Sequence, residues 1–81
     1  MNNYIKGIFK KAFYKSEKGY TIGLFKVKET NDEEVEEYIG KAITVTGYFD
    51  DLKEDENYIM YGDSLEHPKY GFQFDVKKYE K

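Results

Sequence analysis

Hydrophobic and polar residues alternate along most of this chain with a repeat of two. The alternating segments are residues 4–14, 20–28, 42–50, 57–65 and 71–79. Successive side chains of a β-strand point to opposite faces of a sheet, so the repeat predicts five strands. The last segment is the clearest, because Phe72, Phe74 and Val76 alternate with polar residues. These three apolar side chains are predicted to face the core.

The first two predicted strands contain breaks in this alternation. The Lys10-Lys11 pair interrupts the first strand, where one extra residue would form a β-bulge. The second strand changes phase near Leu24 and Phe25. This change indicates either a second bulge or a strand that is covered on both faces.

Residues 31–40 are the only candidate for a helix. Acidic residues from Asp32 onward favour a helix N-terminus, and Gly40 suits the C-terminal cap. The apolar residues of one face would be Val35, Tyr38 and Ile39. The prediction is a helix of two turns at most, and its acidic run is interpreted as a solvated face.

Five short strands with almost no helix predict an all-β protein, a small barrel that is closed or nearly closed. The oligonucleotide/oligosaccharide-binding (OB) fold fits this strand count and length. The turn at residues 15–19 would then be loop L12 and the turn at residues 67–71 loop L45, which frame the ligand face of OB folds. Residues 50–56 leave no room for a helix between strands three and four. The first strand is expected to pair with strands two and four, and the last to close toward the first.

The length and composition limit the size and class of the protein. A chain of 81 residues forms one domain, and nine Tyr and six Phe supply bulky side chains for its core. The chain has no Cys, which excludes a disulfide framework and a cysteine metal site. No apolar run approaches the roughly 20 residues that a membrane span needs. We therefore expect a cytoplasmic domain with no membrane partner.

The charges are segregated along the chain. Residues 1–28 hold seven lysines against Glu17 (+6), residues 29–66 hold thirteen acids against two lysines (−11), and residues 67–81 hold four lysines against two acids (+2). The net charge of −3 predicts weak nonspecific binding to nucleic acids, which depends on phosphate neutralisation. All 13 basic residues are Lys, so the fork-shaped guanidinium is absent. A basic first hairpin beside a basic tail could still form a local positive patch.

Catalytic motifs are missing from the sequence. His67 is the only histidine, and neither serine lies in a nucleophile elbow. Gly40-Lys41 does not form a phosphate loop, because Val35 and Ala42 occupy the positions that require Gly and Ser or Thr. No catalytic residue, metal ligand or cofactor site is predicted in this chain.

Candidate contact residues lie around the two predicted loops. They are Lys15, Lys18, Tyr20, His67, Lys69 and Tyr70. In one interpretation a base stacks on Tyr70 and lysines contact phosphates, as in single-strand binding proteins. In the other, Tyr70 folds back and covers the end of the barrel. The residues alone favour neither.

Three motifs together resemble a known family. They are Lys18-Gly19-Tyr20-Thr21-Ile22, Ile43-Thr44-Val45-Thr46-Gly47, and Gly62 followed by His67-Pro68-Lys69-Tyr70-Gly71-Phe72-Gln73-Phe74. The family is the N-terminal OB domain of RecD-like ATP-dependent DNA helicases, of the exodeoxyribonuclease V alpha-subunit type. The resemblance extends over residues 5–79.

The resemblance implies that residues 1–81 are one OB-fold domain, an N-terminal fragment of a longer helicase. ATP and Mg would bind only to the motor domains, which lie outside this chain. The implied role is non-catalytic: guiding DNA strands, or docking to the motor or to a partner protein, in DNA repair and recombination. Two alternatives stay open, a stand-alone protein-interaction barrel and an independent, weak single-strand nucleic-acid binder.

Overall fold

Alternation along the chain gives five strands in the computed structural model, which describes residues 3–81. The strands are β1 (Asn3–Lys15), β2 (Tyr20–Thr30), β3 (Ala42–Tyr48), β4 (Asn57–His67) and β5 (Gly71–Glu80). They form a closed barrel in the order β1-β2-β3-β5-β4. The predicted all-β, five-stranded OB-like barrel is confirmed.

The strand that closes the barrel differs from the expectation. β1 pairs with β2 and β4, as predicted, and its ladder with β4 runs from Asn3–Gly62 to Ile8–Asn57. The expectation that the last strand closes toward the first was wrong, because β5 lies between β3 and β4. β5 runs parallel to β3 and antiparallel to β4. Alternation specifies which face of a strand is buried but not which strand lies beside it.

Inward side chains from every strand fill the barrel. The largest fully buried residues are Phe25, Phe74, Ile5, Met60, Val27, Val35 and Val45. The predicted core positions Phe74 and Val76 are 0% and 7% exposed. Phe72 packs partly against this core, and its ring stacks on Tyr38 at 4.7 Å between centroids. Tyr38 and Phe72 therefore extend the core toward one edge.

β1 is irregular where the sequence indicates a bulge. Its register against β2 passes from Phe9–Phe25 to Lys11–Leu24, so Lys10 is the extra residue. A further shift lies between Ala12 and Tyr14. β2 itself has no bulge at Leu24: Phe25 is buried inside the barrel and Leu24 is half-buried outside. At Leu24 and Phe25, β2 is therefore a regular strand whose inner face is buried, while its outer residues Ile22 and Leu24 are only half-buried.

The helix predicted over residues 31–40 is wrong in extent, since the segment contains only a 3-10 turn at Glu36–Tyr38. The Asp32 carboxylate accepts a hydrogen bond from the Glu34 amide at 2.9 Å, as an N-cap residue does, but the chain leaves helical geometry at Ile39, whose ψ is 128°. Ile39 does not join the predicted apolar face, because 47% of it is exposed.

The connection from β3 to β4 is a loop without a helix, as residues 50–56 predict. The Lys53 amide donates a hydrogen bond to the Tyr58 hydroxyl at 2.8 Å and ties this loop to β4. Within residues 3–81, no helix is long and apolar enough to cross a bilayer.

Candidate functional site

A groove with aromatic walls lies on the outer side of the barrel. Its volume is ≈ 500 Å³, and it is lined by Phe13, Tyr14, Ile22, Thr44, Tyr70 and Gln73. We call it the aromatic groove. It combines the end of β1 with the outer faces of β2, β3 and β5 and with the turn after β4.

The strand register builds the floor of the aromatic groove. Residues opposite each other on neighbouring strands share a face, and Thr44 lies opposite Gln73 in the parallel β3–β5 pair. Ile22 lies on the same outer face of β2. All three are half-buried. The floor is therefore part of a rigid sheet.

The register shift near the end of β1 builds one wall. Neighbouring residues of a regular strand point to opposite faces, yet Phe13 and Tyr14 both line the groove. The register shift between Ala12 and Tyr14 explains this, because a bulge re-aims the side chain of the extra residue. Phe13 is 57% exposed and Tyr14 is 54% exposed. The bulge thus places two neighbouring rings on one wall.

Loop L45, residues 67–71, builds the opposite wall. The φ of Gly71 is +84°, which favours glycine and lets the chain turn into β5. The Nδ1 atom of His67 accepts hydrogen bonds from the amides of Lys69, at 3.0 Å, and Tyr70, at 3.2 Å. The only histidine of the chain therefore orders the turn that carries Tyr70.

Tyr70 faces solvent instead of covering the end of the barrel. It is 67% exposed. The His67 ring lies 4.8 Å from the Tyr70 ring, and the Lys69 Nζ lies 5.4 Å from its centroid. Of the two interpretations of Tyr70, the structure is consistent with the exposed ring that stacking requires.

Each wall also carries a lysine beside an aromatic ring. Lys69 Nζ approaches Tyr70 on one side, and Lys11 Nζ lies 5.6 Å from the centroid of Phe13 on the other. A cation beside a ring can contact a phosphate while the ring stacks on a base. Both walls therefore combine the two groups that a nucleotide needs.

Loop L12 contributes less to this groove than the sequence suggests. Lys15 and Lys18 are exposed, and Tyr20 is half-buried. Tyr20 makes an edge contact with Tyr48, with 5.2 Å between centroids. Of the six candidate contacts, Tyr70 alone lines the groove, while His67 and Lys69 support Tyr70. Lys15, Lys18 and Tyr20 stay predictions.

A pair of aspartates lies next to the floor of the groove, two residues further along β5 than Gln73. Asp63 on β4 stands opposite Asp75 on β5, an arrangement that like charges disfavour. Lys77 compensates part of it, since its Nζ donates to Asp75 at 2.8 Å. This hydrogen bond and the nearby Asp63 charge raise the pKa of Lys77 above its ordinary value. The aspartates should repel phosphates from this part of the face.

A second cavity, of ≈ 390 Å³, is lined partly by Lys6, Lys28 and Lys81. Lys6 pairs with Glu29 at 3.7 Å and Lys81 pairs with Glu56, so most of this charge is compensated. Among the described residues, no group of three or more His, Cys, Asp or Glu side chains is placed to hold a metal ion. The aromatic groove is therefore the stronger candidate.

A comparison with protein-family models gives one match that extends over residues 2–81. The family is described as the OB-fold domain of the ATP-dependent DNA helicase YrrC. The chain belongs to this family. No solved structure matches the chain significantly. The resemblance to RecD-like helicase OB domains is thereby confirmed.

The position of the groove agrees with the ligand face of OB folds, which bind oligonucleotides on strands two and three, between loops L12 and L45. The floor residues Ile22 and Thr44 lie on those two strands, and Tyr70 lies on L45.

Sequence reasoning missed several residues of the groove. They are Phe13, Tyr14, Ile22, Thr44 and Gln73; Lys11, which lies beside the Phe13 ring, was missed as well. One signal was visible: two consecutive aromatic residues end the first strand, where alternation allows only one to be buried. Thr44 and Gln73 gave no signal, because a polar residue on the outer face of a strand is ordinary.

Proposed function

We propose that this domain binds a short stretch of single-stranded DNA in the aromatic groove and guides it within a RecD-like helicase. One observation carries the proposal. Phe13, Tyr14 and Tyr70 are more than half exposed and line a single groove on the face formed by strands two and three. Exposed rings on a rigid platform stack on bases, at about 1–3 kcal/mol per base.

The exposed rings favour a single strand over a duplex. Bases in a duplex are already stacked and paired, so a protein must unstack them before their faces can contact rings. Single strands offer every base to a ring without this cost. The lysines beside Phe13 and Tyr70, Lys11 and Lys69, would contact the flanking phosphates.

The binding should be weak. The chain has a net charge of −3 and no arginine, and Asp63 and Asp75 share the face with the groove. We expect a Kd of about 10⁻⁴ M or weaker at physiological salt, in the nonspecific range or below. Such an affinity suits a domain that guides a moving strand and must release it continually.

The role within a larger enzyme is part of the same proposal. Residues 1–81 would be the N-terminal domain of a longer helicase that acts in DNA repair and recombination. ATP and Mg would bind in motor domains elsewhere in that protein. The domain itself would be non-catalytic and would act by holding the strand.

A matched pair of variants tests the groove. Tyr70→Ala removes a groove ring, and Tyr48→Ala removes a tyrosine that is equally exposed (68% against 67%) but does not line the groove. Fluorescence anisotropy with a labelled thymine octanucleotide measures both. Tyr70→Ala should lose about 1–3 kcal/mol of binding free energy, while Tyr48→Ala should bind like the wild type. Equal losses would contradict the proposal.

The acidic turn between β2 and β3 supports a second candidate, docking to a basic protein surface such as that of the motor. Glu33, Glu36 and Glu37 are exposed there, beside the half-exposed Ile39. Reversing the charge with Glu36→Lys and Glu37→Lys should weaken such docking and leave DNA binding no weaker. DNA binding lost together with docking would show that one surface serves both.

A further inference from the structure

One acceptor atom organises loop L45. His67 Nδ1 accepts hydrogen bonds from the amides of Lys69, at 3.0 Å, and Tyr70, at 3.2 Å. An imidazole nitrogen accepts a hydrogen bond only while it carries no proton, so the neutral ring must hold its proton on Nε2. The imidazolium form has a proton on both nitrogens and would direct a donor at two amide donors. Protonation of His67 therefore removes both hydrogen bonds.

Loop L12 has a similar turn that is held without a titratable side chain. The Ser16 hydroxyl accepts a hydrogen bond from the Tyr20 amide at 3.1 Å, and the Ser16 carbonyl accepts one from the Gly19 amide at 3.1 Å. Histidine is the side chain whose ordinary titration falls between pH 5 and 8. Of the two loops, L45 is thus the one whose turn depends on a titratable acceptor.

The hydrogen bonds to His67 affect the aromatic groove through Tyr70. This residue is 67% exposed, and its ring lies 4.8 Å from the His67 ring. An exposed side chain has little packing to fix its position, so the backbone of the turn determines where the ring lies. The two hydrogen bonds therefore hold Tyr70 on the wall of the groove.

The charged neighbours of His67 act in opposite directions. On β4, Glu66 precedes it, and Glu66 Oε2 lies 3.8 Å from the position of a Cβ atom at Gly71, the uncharged residue opposite His67 on β5. The turn carries Lys69, and β1 carries Lys11 across the groove. A carboxylate favours a protonated imidazole, and lysines oppose it. With either balance of charges, the turn can form only around the neutral ring.

We infer that His67 is a positioning residue of the aromatic groove, and that its protonation releases Tyr70 and weakens the binding of single-stranded DNA. This inference rests on the proposed function. Its sign separates it from a direct contact, because a histidine that contacts phosphates binds DNA more tightly when it is positively charged. A histidine that acts as the acceptor of the turn gives weaker binding at low pH.

NMR spectra of the free ¹⁵N-labelled domain test the turn without DNA. At about pH 7.5 the His67 ring should carry its proton on Nε2 and none on Nδ1. Between about pH 7.5 and 5.5, the amide signals of Lys69 and Tyr70 should shift in step with protonation of the ring. The Tyr20 amide of L12 should stay in place. A proton on Nδ1 at the higher pH, or amide signals that do not follow the protonation, would overturn the inference.

His67→Asn is the matched variant for DNA binding. Asn Oδ1 lies the same number of bonds from the backbone as His Nδ1, accepts hydrogen bonds from amides that follow it in a turn, and does not titrate. In a chemical-shift titration with a thymine octanucleotide, the wild type should bind about threefold to tenfold more weakly at about pH 5.5 than at about pH 7.5. His67→Asn should bind no more weakly at the lower pH.

His67→Ala, which has no acceptor at this position, should bind about threefold to tenfold more weakly than the wild type at about pH 7.5. Rescue by His67→Asn but not by His67→Ala would show that the acceptor matters rather than the ring. Tighter binding by the wild type at low pH, or an equal weakening in His67→Asn, would overturn the inference.

The two proposals fail in different ways. If neither the wild type nor His67→Asn binds the octanucleotide at millimolar concentration and about pH 7.5, the proposed function fails, and the effect on DNA binding fails with it. If both bind and the wild-type Kd is the same at the two pH values, the role of His67 fails while the proposed function stands.

Discussion

The inner and outer faces of the same two strands differ in what determines them. On β3, Thr44 faces the groove and the next residue, Val45, is fully buried. On β5, Gln73 and Phe74 repeat this arrangement, and the register pairs Thr44 with Gln73 and Val45 with Phe74. The inner pair is determined by alternation and burial. The outer pair becomes part of the aromatic groove only because a bulge and a turn place rings beside it.

This comparison separates two kinds of substitution. A change on the inner face should destabilise the barrel, because the interior is close-packed. A change in the groove should leave stability nearly unaltered and change binding, since exposed side chains contribute little to folding. Each of the following predictions tests whether inner-face changes affect stability and groove changes affect binding.

The largest effect is expected inside the barrel. Phe74 is 0% exposed, and Phe74→Ala should lower the free energy of unfolding by about 3–5 kcal/mol through lost burial and the cavity left behind. This loss approaches the entire stability of many small domains. Urea unfolding measures it. A loss below about 1 kcal/mol would mean that Phe74 is peripheral.

The next effect concerns a close approach of two strands. A Cβ atom at Gly62 would lie 2.0 Å from the backbone oxygen of Asp75, where the β4–β5 register shifts. Gly62→Ala must therefore displace backbone and should destabilise the barrel by about 1–3 kcal/mol. Thermal unfolding detects this change. An unaltered midpoint would show that the two strands are farther apart than described.

In the groove, Phe13→Ala should weaken DNA binding while leaving the stability of the barrel nearly unchanged. Phe13 is 57% exposed, so stability should change by no more than about 0.5 kcal/mol. Binding of a thymine octanucleotide should weaken by about 1–3 kcal/mol through lost stacking. Anisotropy and a thermal melt on the same sample measure both. A large loss of stability with unchanged binding would reverse the assignment of this ring.

The smallest effect concerns the aspartate pair beside the groove. Asp63→Asn removes like-charge repulsion from Asp75 and should stabilise the barrel by about 0.2–1 kcal/mol. It should also tighten DNA binding at low salt, and both gains should shrink at high salt because of screening. Glu33→Gln, which removes the same charge from an exposed turn, is the control. Equal gains in both variants would indicate a net-charge effect only.

The sequence was sufficient for the parts of the fold that depend on local pattern. The five strands, the bulge at Lys10, the turn ending at Gly71 and the burial of Phe74 all followed from it. The helix over residues 31–40 did not form. Asp32 does accept the cap-type hydrogen bond from the Glu34 amide, but the chain leaves helical geometry at Ile39, after a single 3-10 turn.

The site was less predictable, because it depends on pairing between distant segments. Tyr70 was identified from its turn, but the ring that faces it across the groove comes from Phe13, 57 residues earlier in the chain. The bulge that exposes Phe13 is a property of the β1–β2 register, and a single strand does not reveal it. Gln73 joins the groove only because the β3–β5 register places it beside Thr44.

The binding predictions depend on the proposal that single-stranded DNA binds in the aromatic groove. A chemical-shift titration of the ¹⁵N-labelled domain with a thymine octanucleotide tests it most directly. If the groove binds DNA, saturable shifts should appear at residues 13–14, 44 and 69–73, with a Kd near or above about 10⁻⁴ M. Shifts confined to the second cavity, at residues 6–7, 28 and 57–59, or no shifts at millimolar DNA, would contradict it.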